Sequence, residues 1–173
     1  MKKNLETDRL LLREFEITDS YFILSLLNTP GWLEFIGDRG VKTVLDAKKY
    51  LETGPLYSYR EHGYGLWALQ LKHNGKCIGM CGLLKRSRFK YADIGFAILP
   101  NFAGKGYGFE AASATMTYAT QVLNIPRIIA ITKPENKASI KLLQKLGLHF
   151  DRTAEYPKNN FVSVFVPSQT IES

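Results

Sequence analysis

Residues 103 to 111 read Ala103-Gly104-Lys105-Gly106-Tyr107-Gly108-Phe109-Glu110-Ala111 and lie between a strand-like segment and a helix-like segment. Glycine permits positive φ and a close approach of the backbone, so several amide hydrogens of such a turn can converge on one anion. The positive end of the following helix dipole would stabilise a bound phosphate further. The stretch therefore predicts a pyrophosphate-binding turn at the start of a helix, with a tight surface turn as the alternative.

Two other phosphate-binding motifs are excluded by the spacing of this turn. A Walker-type loop needs serine or threonine after its lysine, whereas Gly106 follows Lys105. The dinucleotide fingerprint needs a third glycine three positions after the second, whereas Gly108 comes two after Gly106. The turn therefore predicts a phosphate-bearing ligand of another kind.

The segments before residue 63 predict helices beside a first strand. Residues 9 to 15 are short and apolar and indicate a strand, and Thr18 or Asp19 can cap a helix that runs to about residue 27. Pro30, Gly31 and Gly37 break residues 28 to 40, and residues 43 to 52 predict a second helix that ends near Gly54-Pro55. We expect this part to cover the substrate side of a sheet.

Strand-like segments dominate after residue 63. Residues 64 to 71, 76 to 84 and 91 to 99 alternate with short turns and indicate an antiparallel meander, which Pro100 ends because proline has no N–H. Beyond the glycine turn the pattern predicts helices at 110 to 122 and 136 to 146 and strands at 127 to 132, 149 to 155 and 161 to 166. The expected fold is α/β (α+β), a single domain over residues 1 to 173. Its central mixed, mostly antiparallel sheet should have about six or seven strands and about four flanking helices.

The composition fits one globular domain but leaves the ligand class open. The 173 residues are 45% hydrophobic and carry a formal net charge of +7. That charge attracts a phosphate-bearing cofactor, an acidic substrate or RNA alike. The basic run at residues 85 to 90 is interpreted as a solvated hairpin loop, with a nucleic-acid contact as the alternative. No apolar run is long enough for a signal peptide or a membrane span, so the sequence predicts a cytoplasmic protein without a membrane partner.

The cysteines and histidines give no metal-binding pattern. Cys77 and Cys81 lie four apart in a predicted strand, which separates their α carbons by about 13 Å, and a disulfide needs less than about 7 Å. Nearby histidines do not complete a ligand set, because His62, His73 and His149 are scattered along the chain. We therefore predict neither a disulfide nor a metal site, and no catalytic histidine.

The glycine turn and four other segments resemble the GNAT (Gcn5-related) N-acetyltransferases. The core of the family motif corresponds to residues 103 to 108, although Ala103 stands where relatives carry glutamine or arginine. The resemblance extends over nearly the whole chain and is closest to the ribosomal-protein alanine acetyltransferase group, through the following segments: Thr7-Asp8-Arg9-Leu10-Leu11-Leu12-Arg13, Ile94-Gly95-Phe96, Asn136-Lys137-Ala138-Ser139 and Leu142-Leu143-Gln144-Lys145-Leu146-Gly147. It implies acetyl-CoA as the donor, an amine or a protein N-terminus as the acceptor, a sheet splayed at its fourth strand, and a homodimer as a further expectation.

The resemblance also assigns roles to residues of this chain. It implies that the backbone of the splayed strand binds the pantetheine arm, with the Ile98 amide stabilising the oxyanion. Asn136 would bind the cofactor arm and Ser139 would protonate the leaving thiolate; a helix cap and an ordinary first-turn residue are the alternatives. The implied cofactor-binding residues are Phe96, Ala97, Ile98, Leu99, Ala103, Gly104, Lys105, Gly106, Tyr107, Gly108, Phe109, Asn136 and Ser139.

Asp93 is the candidate general base, because the acceptor ammonium must lose a proton before it attacks. Strand alternation should point Asp93 to the sheet face opposite Ile94, and an intervening water can bridge its short side chain to the substrate. The alternatives are a solvent-facing carboxylate and an enzyme without a dedicated base. Glu110 is interpreted as structural, since a carboxylate is stabilised in the first turn of a helix. Aromatic residues can line the acceptor pocket or belong to the core, namely Trp32, Phe35 and Trp67.

Two further function classes remain open at this point. A noncatalytic acyl-CoA-binding or sensor domain would keep the glycine turn without needing Asp93 or Ser139. A module that binds RNA or the ribosome would instead use the basic run at residues 85 to 90, with binding that depends on salt. Nucleic acid is otherwise not an expected partner.

Overall fold

The computed structural model describes residues 3 to 168. Its eight strands are β1 Asn4–Glu6, β2 Leu10–Glu14, β3 Leu66–Leu71, β4 Cys77–Leu84, β5 Ala92–Ile98, β6 Ile128–Thr132, β7 Leu148–Glu155 and β8 Phe161–Pro167. Its six α-helices are α1 Ser20–Leu26, α2 Pro30–Phe35, α3 Val44–Thr53, α4 Pro55–His62, α5 Tyr107–Gln121 and α6 Lys137–Lys145. The predicted α/β class is confirmed, with more elements than expected.

The additional elements are one strand and two helices. The short β1 pairs with β2 at the sheet edge. Pro30 and Pro55 each stand in the first turn of a helix rather than ending one, because a helix start leaves N–H groups unpaired and proline lacks that group. The Thr29 hydroxyl caps α2, and Gly63 ends α4 in the left-handed conformation. Pro30 was therefore interpreted wrongly as a break, whereas the predicted helix end near Gly54-Pro55 is confirmed, since α3 ends at Thr53.

The strands form a single mixed sheet in the order β1-β2-β3-β4-β5-β6-β8-β7. The predicted meander is confirmed, since β3, β4 and β5 pair antiparallel in sequence order. The pair formed by β5 and β6 is parallel and holds register only at Ala92 with Ile128 and Asp93 with Ile129. Beyond Asp93 the two strands separate. The expected splay is therefore present, at the fifth strand in chain order because β1 comes before the strands that were predicted.

The two faces of the sheet carry separate cores. One contains buried side chains of the central strands with Ala111, Ala112 and Leu143 of α5 and α6. Trp67 belongs to this core and contacts the Tyr118 ring. The other core lies under α1, α2 and α3. The open edge of β5 therefore lies between a layer of helices α5 and α6 and an opposite layer built from helices α1 to α4.

Two findings concern chemistry away from this edge. Cys77 and Cys81 are both free and both on β4, and burial raises the pKa of Cys81 to about 12. Among residues 3 to 168, no helix is both long and apolar enough to cross a membrane.

Candidate functional site

A cleft of about 1140 Å³ opens where β5 leaves β6. One side consists of β5, the glycine turn, the start of α5 and one face of α6, and the other side consists of α2, the end of α3 and α4. Most of the predicted site residues line it, including Asp93, Asn136 and Ser139. The topology therefore gathers residues that are far apart in sequence around a single opening.

Two peptide groups of β5 face this opening. Leu99 donates its N–H to the Ile78 carbonyl at 2.8 Å, and Leu99 lies next to the Ile98–Gly79 partners in the register of β5 with β4. Antiparallel hydrogen bonding alternates along a strand, so the peptide groups of Phe96 and Ile98 point away from β4. They point toward the edge that β6 has vacated. The Ile98 N–H, which was predicted as an oxyanion donor, therefore faces the cleft rather than β4.

Ala97 and Leu99, the other two residues implied for this strand, do not direct their peptide groups to the cleft. The same alternation directs the peptide groups of Ala97 toward β4, and Ala97 reaches the cleft with its side chain. Leu99 packs against the core under α1 to α3 and is not among the residues that line the cleft. Only alternate backbone groups of the strand can therefore bind a ligand.

The glycine turn is part of the helix start itself. Helix α5 begins at Tyr107, three residues earlier than predicted, with Gly106 at its N-cap. Gly104 and Gly106 have φ of +72° and +83°, which other residues rarely adopt. A β carbon at Gly108 would lie 3.0 Å from Leu142 of α6, so Gly108 allows the two helices to pack. The first amides of α5 have no acceptor inside the helix and open onto the cleft.

Arg9 holds this turn from the chain segment before β2. Its Nη1 donates to the Lys105 carbonyl at 3.0 Å, and its guanidinium lies 4.1 Å from the centre of the Tyr107 ring. Arg9 therefore brings a positive charge to a turn in which Ala103 offers no polar side chain. The Lys105 ammonium lies over the Phe102 ring, and Lys105 is not among the residues that line the cleft.

Glu110 connects α5 to the same segment. Its carboxylate accepts hydrogen bonds from the Thr7 hydroxyl at 2.6 Å, the Arg9 N–H at 2.9 Å and Arg9 Nε at 2.7 Å. Burial raises the pKa of Glu110, but these hydrogen bonds outweigh it and hold the pKa below its ordinary value. The geometry agrees with the structural interpretation of this residue.

We expect Glu110→Gln to lower the free energy of unfolding by about 2 kcal/mol at pH 7, because it weakens three hydrogen bonds to a charged acceptor. A carboxyl whose folded pKa is lowered stabilises the protein above its unfolded pKa and loses that effect as pH falls through the folded pKa. The difference between wild type and variant should therefore shrink below about pH 4. Urea unfolding at pH 7 and pH 3 measures it, with the exposed Glu61→Gln as control. An equal difference at both pH values would contradict this role.

Asn136 and Ser139 share the first turn of α6, as the spacing predicts. The Asn136 side chain accepts a hydrogen bond from the Ser139 N–H at 3.2 Å, so Asn136 caps the helix. The half-buried Ser139 also lines the cleft. Lys141 and Lys145 extend the same lining, and the Lys145 ammonium lies 4.1 Å from the centre of the Phe109 ring. Helix α6 therefore gives its side of the cleft a positive charge.

Asp93 lies at the point where the strands begin to separate and is 1% exposed. Arg86 Nε donates to its Oδ1 at 2.9 Å, and Arg86 Nη1 donates to the Tyr156 hydroxyl at 2.9 Å. Burial raises the pKa of Asp93, and the Arg86 charge opposes that rise. Asp93 is thus a buried, paired carboxylate at the inner end of the cleft rather than a solvent-facing one.

The basic run at residues 85 to 90 does form the loop between β4 and β5, but it is not a uniformly solvated surface. Arg86 turns inward to Asp93, and Phe89 is buried. Lys85 donates to the Phe89 and Lys90 carbonyls. The part of the run that faces solvent is therefore smaller than an RNA-binding patch built on all its cations would need.

The side of the cleft opposite α6 is formed by residues for which the sequence has no motif. Trp32 and Phe35 of α2 line the cleft, whereas Trp67 does not. Tyr50 and Arg39 also line it and were not singled out from the sequence. Across the opening, Lys133 Nζ donates to the Glu34 carbonyl at 2.8 Å and joins the end of β6 to α2. No local pattern could have identified these residues, because their common position depends on how α2 and α3 pack.

Comparison with known proteins agrees with this geometry. A family model described as an acetyltransferase (GNAT) domain matches residues 9 to 149. The uncharacterised N-acetyltransferase YnaD of Bacillus subtilis (strain 168) is 30% identical over 145 residues, which are 84% of this chain and 82% of that protein. The spermidine N(1)-acetyltransferase of Escherichia coli (strain K12) is 27% identical over 99 residues, which are 57% of this chain and 53% of that protein.

Solved structures share the fold. An acetyltransferase from Agrobacterium tumefaciens str. C58 superposes with a TM-score of 0.82 at 23% identity, over 96% of this chain and 95% of that chain. RimL, a ribosomal L7/L12 alpha-N-protein acetyltransferase in complex with coenzyme A, superposes with a TM-score of 0.79 at 19% identity, over 95% and 97%. At these identities the similarity concerns the fold.

Proposed function

Since this chain belongs to the GNAT family of acetyltransferases, we propose that it transfers an acetyl group from acetyl-CoA to a primary amine by direct attack in a ternary complex. The chain is an acyltransferase by family. The proposed acceptor class, a protein N-terminal amine or a small amine, is more specific than family membership alone. The observation that carries the proposal is the open edge of β5 beside the glycine turn. Together they offer backbone N–H groups for the pantetheine arm and for the pyrophosphate of acetyl-CoA.

The donor side fits acetyl-CoA. The positive φ of Gly104 and Gly106 and the free amides of α5 suit a pyrophosphate, and Lys141 and Lys145 supply positive charge nearby, whereas the charge of Arg9 is paired with Glu110. The Phe96 and Ile98 peptide groups suit the amide groups of a pantetheine arm, which would add to the sheet like a short strand. The residues present therefore match a ligand that carries phosphates at one end and amides along its length.

The catalytic roles follow from the same placement. The donor supplies an activated thioester. The Ile98 N–H can donate to the carbonyl oxygen on which negative charge develops, and Asp93 can accept the amine proton directly or through water. Ser139 lies on the cleft wall of α6, where its hydroxyl can protonate the departing sulfur. Ile98 would thus stabilise the developing charge, Asp93 would act as the base and Ser139 would act as the acid.

Titration calorimetry tests the donor assignment. We expect acetyl-CoA and CoA to bind, and ATP, which shares the adenine and phosphates, to bind more weakly because it lacks the pantetheine arm. Folded protein that binds none of them would contradict the assignment. Binding without acetyl transfer to any amine would instead favour a noncatalytic acyl-CoA sensor.

A further inference from the structure

The cleft lining carries an unbalanced charge. Five basic side chains line it, Arg39, Lys85, Arg86, Lys141 and Lys145, and the single carboxylate on the lining is Asp93. Lys141 and Lys145 lie on α6, on the side assigned to the donor phosphates. The other three basic residues and Asp93 lie away from α6, where the acceptor must enter. The charge of the acceptor side therefore decides which amines can bind there.

Most of the acceptor-side charges are already partnered. Arg86 pairs with Asp93 at 2.9 Å, and Lys85 donates to two loop carbonyls. Arg39 is exposed and makes no ion pair or hydrogen bond with any residue between 3 and 168. The charge that remains for a substrate on this side is thus positive. Lys85 keeps its charge because carbonyls do not neutralise it, and Arg39 is the basic side chain there without a partner among residues 3 to 168.

Tyr50 stands beside that charge. Its side chain lines the cleft, and its hydroxyl makes no hydrogen bond within the described part of the chain. Tyr50 and Arg39 line the same cleft. Burial raises the pKa of Tyr50, and the charges of Arg39 and Arg86 act to lower it. A hydroxyl donor and a guanidinium on the same wall are the groups that bind a carboxylate or a phosphate.

We propose that the acceptor of this enzyme is a primary amine that also carries an anionic group, which Arg39 and Tyr50 bind. The inference rests on the proposed function and adds the class of substrate. Trp32, Phe35 and Tyr57 give the same part of the cleft an aromatic wall, so an apolar body fits between the amine and the anion. In the reaction the amine nitrogen bonds to the acetyl carbon as the carbon–sulfur bond breaks, one amine proton leaves to the base, and the sulfur takes up a proton.

A polyamine acceptor does not fit this charge pattern. Additional ammonium groups need carboxylates, and the described lining offers only Asp93, which Arg86 already neutralises. Repulsion by Arg39 would act against such a substrate. Similarity to the spermidine N(1)-acetyltransferase, which spans 57% of this chain, therefore does not extend to this chain's acceptor preference.

Three ligands with one aromatic scaffold test the proposal: 4-(aminomethyl)benzoate, 4-methylbenzylamine and p-xylylenediamine. Binding to the protein saturated with CoA is measured by calorimetry, and initial rates of acetyl transfer are measured with acetyl-CoA. We expect 4-(aminomethyl)benzoate to bind at least about 10-fold more tightly than 4-methylbenzylamine, which lacks the anionic group, as for one charge-assisted contact. The diamine should bind most weakly.

Charge reversal at one position gives the decisive comparison. Arg39→Glu should abolish the preference for the carboxylate and improve binding of the diamine. Arg60→Glu is the matched control, because Arg60 is exposed on α4, changes the net charge equally and is not among the residues that line the cleft. Tyr50→Phe should weaken binding of 4-(aminomethyl)benzoate and leave binding of the other two ligands unchanged.

The outcomes separate this inference from the proposed function. Diamine binding as tight as that of the carboxylate, equal effects of Arg39→Glu and Arg60→Glu, or no binding of any of the three ligands would overturn the inference. Carboxylate-selective binding that depends on Arg39 supports it, even if no ligand is acetylated. In that last case the proposal of acetyl transfer to small amines would be contradicted, while the proposal that Arg39 and Tyr50 bind an anionic group would be supported.

Discussion

Asp93→Asn should lower kcat by at least about 100-fold, because general base catalysis contributes roughly that factor or more. The amide keeps the shape of the side chain and removes its charge and basicity. Acetyl-CoA affinity should be unchanged, since Asp93 lies at the inner end of the cleft and the phosphate turn is formed by other elements. Steady-state kinetics and calorimetry on the same preparation measure both quantities.

The pH profile gives Asp93 a second signature. Burial raises the pKa of Asp93, so the ionised base forms at a pH above the ordinary aspartate value of about 3.9. We therefore expect kcat/KM to rise with pH through this raised pKa and then to level off. The rise should disappear in Asp93→Asn. A rise that persists unchanged in the variant would assign it to another group.

The ion pair with Arg86 requires a control for stability. Removing one partner of a buried pair leaves an uncompensated charge and costs about 3 to 5 kcal/mol. The double variant Arg86→Met with Asp93→Leu removes both charges and should recover much of the stability lost in Asp93→Ala. We expect it to remain inactive. Recovery of activity along with stability would reduce Asp93 to a structural residue.

Gly106→Val should weaken acetyl-CoA binding by about 100-fold. The residue adopts φ of +83° at the N-cap of α5, and a β-branched side chain disfavours that conformation strongly. The turn must therefore change shape, and the loss of two hydrogen bonds to phosphate at about 1.5 kcal/mol each corresponds to roughly this factor. Calorimetric titration with acetyl-CoA measures the loss.

Gly147→Val separates backbone strain from the loss of binding. Gly147 has a similar φ of +87° after the end of α6, and a β carbon there would meet no atom within 4 Å. Both variants should lose comparable stability in thermal unfolding. Only Gly106→Val should lose affinity for acetyl-CoA. Equal losses of affinity would show that destabilisation alone explains the effect.

Local sequence patterns were sufficient for much of the fold. The meander, the helix at residues 20 to 26 and the two helices of the second half were predicted because hydrophobic periodicity and turn residues act within a few positions. Helices α2 and α4 were missed because proline both breaks a helix interior and starts a helix, and the local sequence does not distinguish the two uses.

The candidate site divides in the same way. The glycine turn, Asn136 and Ser139 could be selected from spacing and resemblance, because each motif lies within a few consecutive residues. The residues that pair with Asp93 and Glu110 could not be identified from the sequence. Arg86 belongs to a basic run that favoured a solvated loop, and Arg9 reaches Glu110 across about a hundred positions of sequence. Such pairs depend on which strands become neighbours.

The sequence by itself determined the glycine turn at the start of α5 and the order of strands and helices, because glycine conformation and side-chain periodicity are properties of short segments. The tertiary structure alone decided the separation of β5 from β6, the burial of Asp93 against Arg86 and the position of Arg39 and Tyr50 on the cleft lining. Packing of distant elements sets these features, since burial and electrostatic contact depend on distance in space rather than along the chain.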